Sequence, residues 1–341
     1  MPQAKVLGTI ATLTAALSAT ATIAASGDPP TSETNNPAAM PIPMPTLGGK
    51  QFWADELFFH RWRIQRNVLS GRHRLLDENN LRHAWGSFED CREQLEQIKR
   101  QRKLPPMHGK AVILLHGLGR TRASMVKLGK HLEEQGGYTV FNVAYPSTRC
   151  DVASHAQSLA RIIENLEGIA EINFVAHSMG NLVIRRWLAD QAHQEPISGG
   201  SKRQANVPLK RFVMLGPPNH GSRVAHALAD NTLFQVVTGD SGQQLGRNWD
   251  KLDGTLATPP CEFGIIAGGK GDGRGFNPLL SGDNDGTISV ATTRLAGASD
   301  FVVVPVLHSF LMGNDKVLHY TLRFLQKGYF LSPVKRQPVG K

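Results

Sequence analysis

Three observations predict an α/β fold with a mostly parallel central sheet and helices on both faces. Short apolar runs alternate with amphipathic helical segments from Ala111 to Phe330. Runs such as Ala111-Val-Ile-Leu-Leu115 are continuously apolar, as strands buried on both faces require. And Ile172 to Ala176 reads as a strand that turns sharply at Ser178 into a helix from Met179, with small residues at Ala176 and Gly180.

Taken in order, residues 1–26 hold no acidic residue, carry Lys5 and run through an Ala/Thr-rich apolar stretch to small residues at Ala21 and Ala25. This reads as a secretory signal, hence export to a periplasm or medium; a disordered or organelle-targeting leader in a cytoplasmic protein is the alternative. Residues 27–49 are rich in Pro, Ser, Thr and Asn, bury little apolar surface and read as an extended or disordered linker.

Over 50–104 the apolar residues Trp53, Leu57, Phe58, Trp62, Leu75, Leu76, Trp85, Leu95 and Ile98 recur at roughly helical spacing. A helical extension is expected there, with Asp77 and Ser87 as N-caps and Asp90 as the acidic third position after Ser87. The basic run Lys99-Arg-Gln-Arg-Lys103 suits a solvated helix end; contact with an acidic or membrane surface is its second reading.

The main domain is expected over 105–330, followed by a tail, 331–341. Its strands are Ala111–Leu115, Tyr138–Ala144, Ile172–Ala176, Arg211–Gly216, Phe263–Ala267 and Phe301–Val306, and a helix closes it from Lys316. Residues 223–260 lack strand character and read as an insertion, placed where a lid or cap would sit.

The chain of 341 residues has a formal charge of +10 and only three, widely spaced cysteines, Cys91, Cys150 and Cys261. That cysteine pattern is neither a disulfide framework nor a metal site. No nucleic-acid module accompanies the positive charge, so it reads as a solvated surface.

A serine hydroxyl needs a base, a carboxylate to orient the base, and donors for the oxyanion. In α/β sheets these collect at the carboxyl ends of strands. Ser178 sits in the strand–turn–helix as the nucleophile. His116-Gly-Leu-Gly119 follows a strand, and the N–H groups of Leu118 and Met179 are the expected oxyanion donors. The other reading of that loop, a dinucleotide fingerprint, is broken at Arg122. Among thirteen histidines, His308 lies just beyond a strand end and is the expected base. His220 is its nearest rival, His177 reads as lining the site and His319 as a helix residue. Asp285 is the expected acid, with Asp283 and then Asp272 as alternatives.

The order Ser178, Asp285, His308, with His-Gly-Leu-Gly upstream and Ala-His-Ser-Met-Gly at the elbow, resembles the α/β-hydrolase superfamily, most closely its lipase and esterase branches. Asn284-Asp-Gly-Thr-Ile is similar to the acid loop of larger lipases. Pro217-Pro-Asn-His-Gly-Ser222 is similar to a turn of lipase-like and inositol-deacylase-like members. The resemblance covers roughly residues 108–328, with Ala176 standing where the motif has Gly. It implies the α/β-hydrolase fold, cleavage of a carboxylic ester of a lipid or other small acyl compound, and no metal or organic cofactor. Acyltransferase, thioesterase and amidase activities use the same machinery, and a non-catalytic binding protein can share the fold.

Overall fold

The structure, a computed structural model, describes residues 44–45, 50–192, 207–222, 224, 240–246 and 248–340. The leader expected over 1–26, most of the linker and residues 225–239 of the expected lid lie outside these.

Residues 50–104, expected to be helical, instead supply four of the strands of a five-stranded antiparallel sheet. Its strands are β1 (Met44–Pro45), β2 (Trp53–Phe59), β3 (Trp62–Asn67), β4 (His73–Leu76) and β5 (Leu81–Gly86), in the order β1-β5-β4-β3-β2. Only α1 (Phe88–Gln101) is a long helix, and it starts as expected: Ser87 accepts from the Asp90 N–H while Asp90 reaches back to the Ser87 N–H. Asp77 caps no helix. Its Oδ1 accepts from the N–H groups of Asn79 and Leu81, closing the β4–β5 hairpin, with Asn80 in the left-handed region at φ +61°. The spacing misled because all seven β2 residues are buried and a register shift between Asp55 and Leu57 breaks the two-residue alternation.

Six parallel strands follow: β6 (Lys110–Leu115), β7 (Thr139–Val143), β8 (Glu171–His177), β9 (Leu209–Leu215), β10 (Glu262–Gly268) and β11 (Asp300–Val304). They match the expected strands apart from shifts at the ends. Their order, β11-β10-β9-β8-β6-β7, reverses direction between β6 and β8. At such a switch point the loops leaving the two strands diverge and open a crevice at their carboxyl ends.

Alternate strand residues point to opposite faces, and both faces are apolar. On one, Ile113, Phe141, Phe174, Phe212 and Ile265 pack with α3 (Val152–Glu164), α4 (Gly180–Ala192) and the antiparallel sheet, whose Phe58 lies 5.3 Å from Phe141. On the other, Val112, Leu114, Val175, Val213 and Ile266 pack with α2 (Val126–Gly136) and α7 (Asp315–Lys327). The Asp151 side chain caps α3 and that of Asn314 caps α7. Two short helices lie in the connections, α5 (Trp249–Asp253) between β9 and β10 and α6 (Val290–Thr293) between β10 and β11.

Candidate active site

The turn after β8 places Ser178 at φ +54°, in the left-handed region that a residue with a Cβ enters only under strain. The strain is held by packing and hydrogen bonds. Ser178 N–H donates to the Leu215 carbonyl at 2.9 Å, tying the turn to β9, and Asn181 Nδ2 donates to the Ser178 carbonyl at 2.8 Å. The small residue at 180 is required because a Cβ there would lie 2.8 Å from the His116 carbonyl oxygen and 2.9 Å from that of Leu115. Ala176, the departure from the motif, is fully buried inside the strand.

His308 comes to Ser178 from beyond β11, in the 3-10 turn His308–Gly313. Its Nε2 lies 2.9 Å from Ser178 Oγ and its Nδ1 2.6 Å from Asp285 Oδ2. The His308 backbone is held on both sides: its N–H donates to the Asp285 carbonyl at 2.8 Å, and its own carbonyl lies 3.0 Å from His177 Nε2. Asp285 is buried, and its second oxygen accepts from the N–H groups of Thr287 and Ile288 at 3.0 and 2.6 Å. Those two bonds fix the carboxylate plane, and the Nδ1 contact fixes the imidazole so that Nε2 faces the serine.

The alternatives fall elsewhere. Asp283 Oδ1 accepts from Lys270 and Asn284 N–H, and its Oδ2 from Gly271 N–H, so it shapes the acid loop. Asp272 is exposed and closes a turn onto Arg274 and Gly275. His220 is exposed; its neighbour Asn219 is buried, accepting from Arg185 and donating to the Thr293 carbonyl. His319 stacks edge-on with His131 at 5.0 Å.

His177 does more than line the site. Burial, and then the proximity of His308, push its imidazole well below the usual 6.5, so it is neutral and donates from Nε2 to the His308 carbonyl. Sequence gave no sign of this, because a residue beside a turn can face either way.

The expected oxyanion loop lies directly opposite. A Cβ on Gly117 would sit 3.0 Å from Ser178 Cβ and 2.9 Å from His177 Nδ1, so only glycine lets this backbone approach. The N–H groups of Leu118 and Met179 donate to no acceptor among the described residues. The structure thus brings together Ser178, His308 and Asp285, and sets the loop of Leu118 and the first turn of α4 beside the serine.

No known protein-family model matches the sequence, and no curated protein does. Solved structures do resemble it. The propeptide form of the Bacillus licheniformis lipase BlEst2 aligns with TM-score 0.50 and 16% identity over 68% of this chain, which spans 51% of that one. The product of gene lin2722 from Listeria innocua aligns with TM-score 0.45 and 17% identity over 64% of this chain and 94% of that one. Phospholipase PlaB from Legionella pneumophila aligns with TM-score 0.46 and 18% identity, covering 64% and 60%. At this identity the likeness to the first establishes the fold: the chain has the α/β-hydrolase fold, as the sequence implied.

Proposed function

We propose that this chain is a serine hydrolase that cleaves carboxylic esters, lipase- or esterase-like, through an acyl-enzyme. The observation that carries the reading is the continuous chain from Ser178 Oγ through His308 to Asp285, at 2.9 and 2.6 Å, on a serine held at φ +54°. In the proposed mechanism His308 Nε2 takes the Ser178 proton as Oγ attacks the ester carbonyl. Asp285 stabilises the imidazolium. The N–H groups of Leu118 and Met179 bind the oxyanion, and His308 then returns the proton to the leaving alcohol. Water, activated by the same histidine, releases the acid.

An apolar acyl portion is favoured by the surroundings of the base. Leu307 and Phe310, on either side of His308, are 40% and 63% exposed. Large exposed apolar side chains flanking the base suit a hydrocarbon chain, or a lipid surface presenting one.

A fluorophosphonate should label Ser178, and Ser178→Ala should abolish labelling and lower turnover on the order of 10⁴- to 10⁶-fold. A panel of esters of increasing acyl length, run with amide and thioester analogues and with an acceptor alcohol, assigns the reaction. Folded protein that takes no label would end the enzyme reading. Amide, thioester or acceptor turnover above ester hydrolysis would replace it with the amidase, thioesterase or acyltransferase reading.

A further inference from the structure

Catalysis by this site, on the proposed reading, depends on where the Leu118 N–H points. That N–H shares a rigid peptide plane with the Gly117 carbonyl, so fixing one fixes the other. The Gly117 carbonyl accepts from the Arg120 N–H at 3.2 Å and from His116 Nδ1 at 2.9 Å, with Nδ1 carrying the proton. Both partners draw the carbonyl to one side, which sends the Leu118 N–H to the other.

The loop is then gripped at both ends by one turn, Tyr145–Ser147, which follows β7. The Tyr145 hydroxyl donates to the His116 carbonyl, and its ring stacks on the His116 ring at 4.2 Å and 11°. Ser147 Oγ, fully buried, accepts from the Gly119 N–H at 3.1 Å. The two tethers bracket Gly117 and Leu118. Burial raises the Tyr145 phenol and lowers His116 to about 4, so the stack is neutral and the phenol keeps its proton as a donor.

The turn is fixed in its own right by the antiparallel sheet. Asp55 of β2 donates its N–H to the Ala144 carbonyl at 2.9 Å and accepts the Ala144 N–H at Oδ2 at 2.7 Å. Asp55 is in turn fully buried, held by Gln65 Nε2 at 2.7 Å and Arg63 Nη1 at 3.4 Å. Hydrogen bonds to Ala144, and the backbone running on through Tyr145 and Ser147, therefore link the antiparallel sheet to the loop beside the serine.

We propose that Tyr145 and Ser147 are positioning residues, which hold His116–Gly119 so that the Leu118 N–H faces the developing oxyanion. The proposal rests on the serine-hydrolase reading and gives the antiparallel sheet a part in it. Tyr145→Phe keeps the stacked ring and loses only the tether. It should lower kcat for p-nitrophenyl butyrate roughly tenfold with KM little changed, because a misplaced donor weakens the transition state more than the ground state. Ser147→Ala should lower kcat similarly, and Ser147→Thr, which keeps the hydroxyl, should restore it. Butylboronic acid, whose tetrahedral adduct on serine presents an oxygen to the donors, should lose affinity in parallel with kcat/KM, while melting temperature moves little.

Wild-type kcat in both tether variants would overturn the proposal. So would a loss of kcat with boronate affinity intact, or a rise in KM alone. If Tyr145→Phe does not fold, the Ser147→Ala and Ser147→Thr pair carries the test. An inactive Ser178→Ala beside fully active tether variants defeats the brace alone, whereas an active Ser178→Ala defeats the hydrolase reading itself.

Discussion

In the parallel sheet the buried strand residues are almost all hydrocarbon: Val112 to Leu115, Phe174 to Ala176 and Phe212 to Leu215 are within 1% of fully buried. The antiparallel sheet, packed on one face of it, buries Asp55, Glu56, Arg63, Gln65, His73 and Arg74 as well as Trp53, Trp62, Phe58 and Phe59. Hydrocarbon packing is tolerant of small shifts, but buried charges are stable only with their partners in place. Glu56 illustrates this: its side chain is fully buried and accepts from Arg66 at 2.7 Å, His73 at 3.0 Å and Arg161 of α3 at 2.8 Å. The parallel sheet supplies a rigid frame for strand-end loops, and the antiparallel sheet supplies directional bonds that fix one docking position on that frame.

The sharpest way to test that division is to disturb the acid loop, where the frame meets the proposed chemistry. Asp285→Asn should lower kcat on the order of 10⁴-fold with the protein still folded, since the amide puts a donor where His308 Nδ1 needs an acceptor. Asp283→Asn should leave kcat within about tenfold and cost about 1 kcal/mol of stability, since it loses one of three backbone bonds. Steady-state kinetics and urea unfolding on the pair decide it. Equal losses of kcat, or the reverse order, would give the role to Asp283.

Disturbing the charge network should do the opposite, harming stability before chemistry. Glu56→Gln leaves Arg66, His73 and Arg161 without their shared carboxylate and should cost about 2–3 kcal/mol in urea unfolding. The figure is modest for a buried pair because Arg161 is 51% and Arg66 28% exposed, and both can turn to water. A loss under about 0.5 kcal/mol would mean that the network adds little and that docking rests on Phe58, Phe59 and Ile64 instead.

The same division decided what could be read from the sequence. Strands of continuous hydrocarbon, such as Ala111 to Leu115, announce themselves, and so do a serine between small residues and a histidine just past a strand end. The acid was legible as Asp285 ahead of Asp283 and Asp272, because all three sit in one Gly-rich stretch and only the fold shows which carboxylate meets His308. The antiparallel sheet was not legible. Its interior holds Arg63 and Arg74, which a pattern of apolar residues counts as surface, and its bulge shifts the alternation. Tyr145 and Ser147 escaped for another reason: their role lies in bonds to a loop 29 and 28 residues away, which no local spacing encodes.

Acid should separate the two regions by the pH at which each begins to fail. Besides His308, three buried histidines lie around the proposed site: burial, against the raising effect of backbone bonds with Gly117 and Tyr145, takes His116 to about 4, burial takes His155 to about 3, and His177 lies well below 6.5. Unfolded, each titrates near its ordinary 6.5. Below that value the unfolded chain binds protons that the folded chain refuses, so stability falls as pH falls, by up to about 1.4 kcal/mol per pH unit for each histidine. Glu56 behaves differently. Burial alone would raise it, but bonds from His73 and Arg66 and the charge of Arg161 outweigh burial and hold it below its ordinary 4.5. Its contribution is therefore intact until the pH drops under about 4.5 and is lost as the pH falls further. Urea unfolding between pH 7 and 5 should show a slope that His155→Leu reduces by about one histidine's share and that Glu56→Gln leaves unchanged. A slope unaltered by His155→Leu, or one flattened by Glu56→Gln, would place the acid-sensitive element in the antiparallel sheet rather than under the serine.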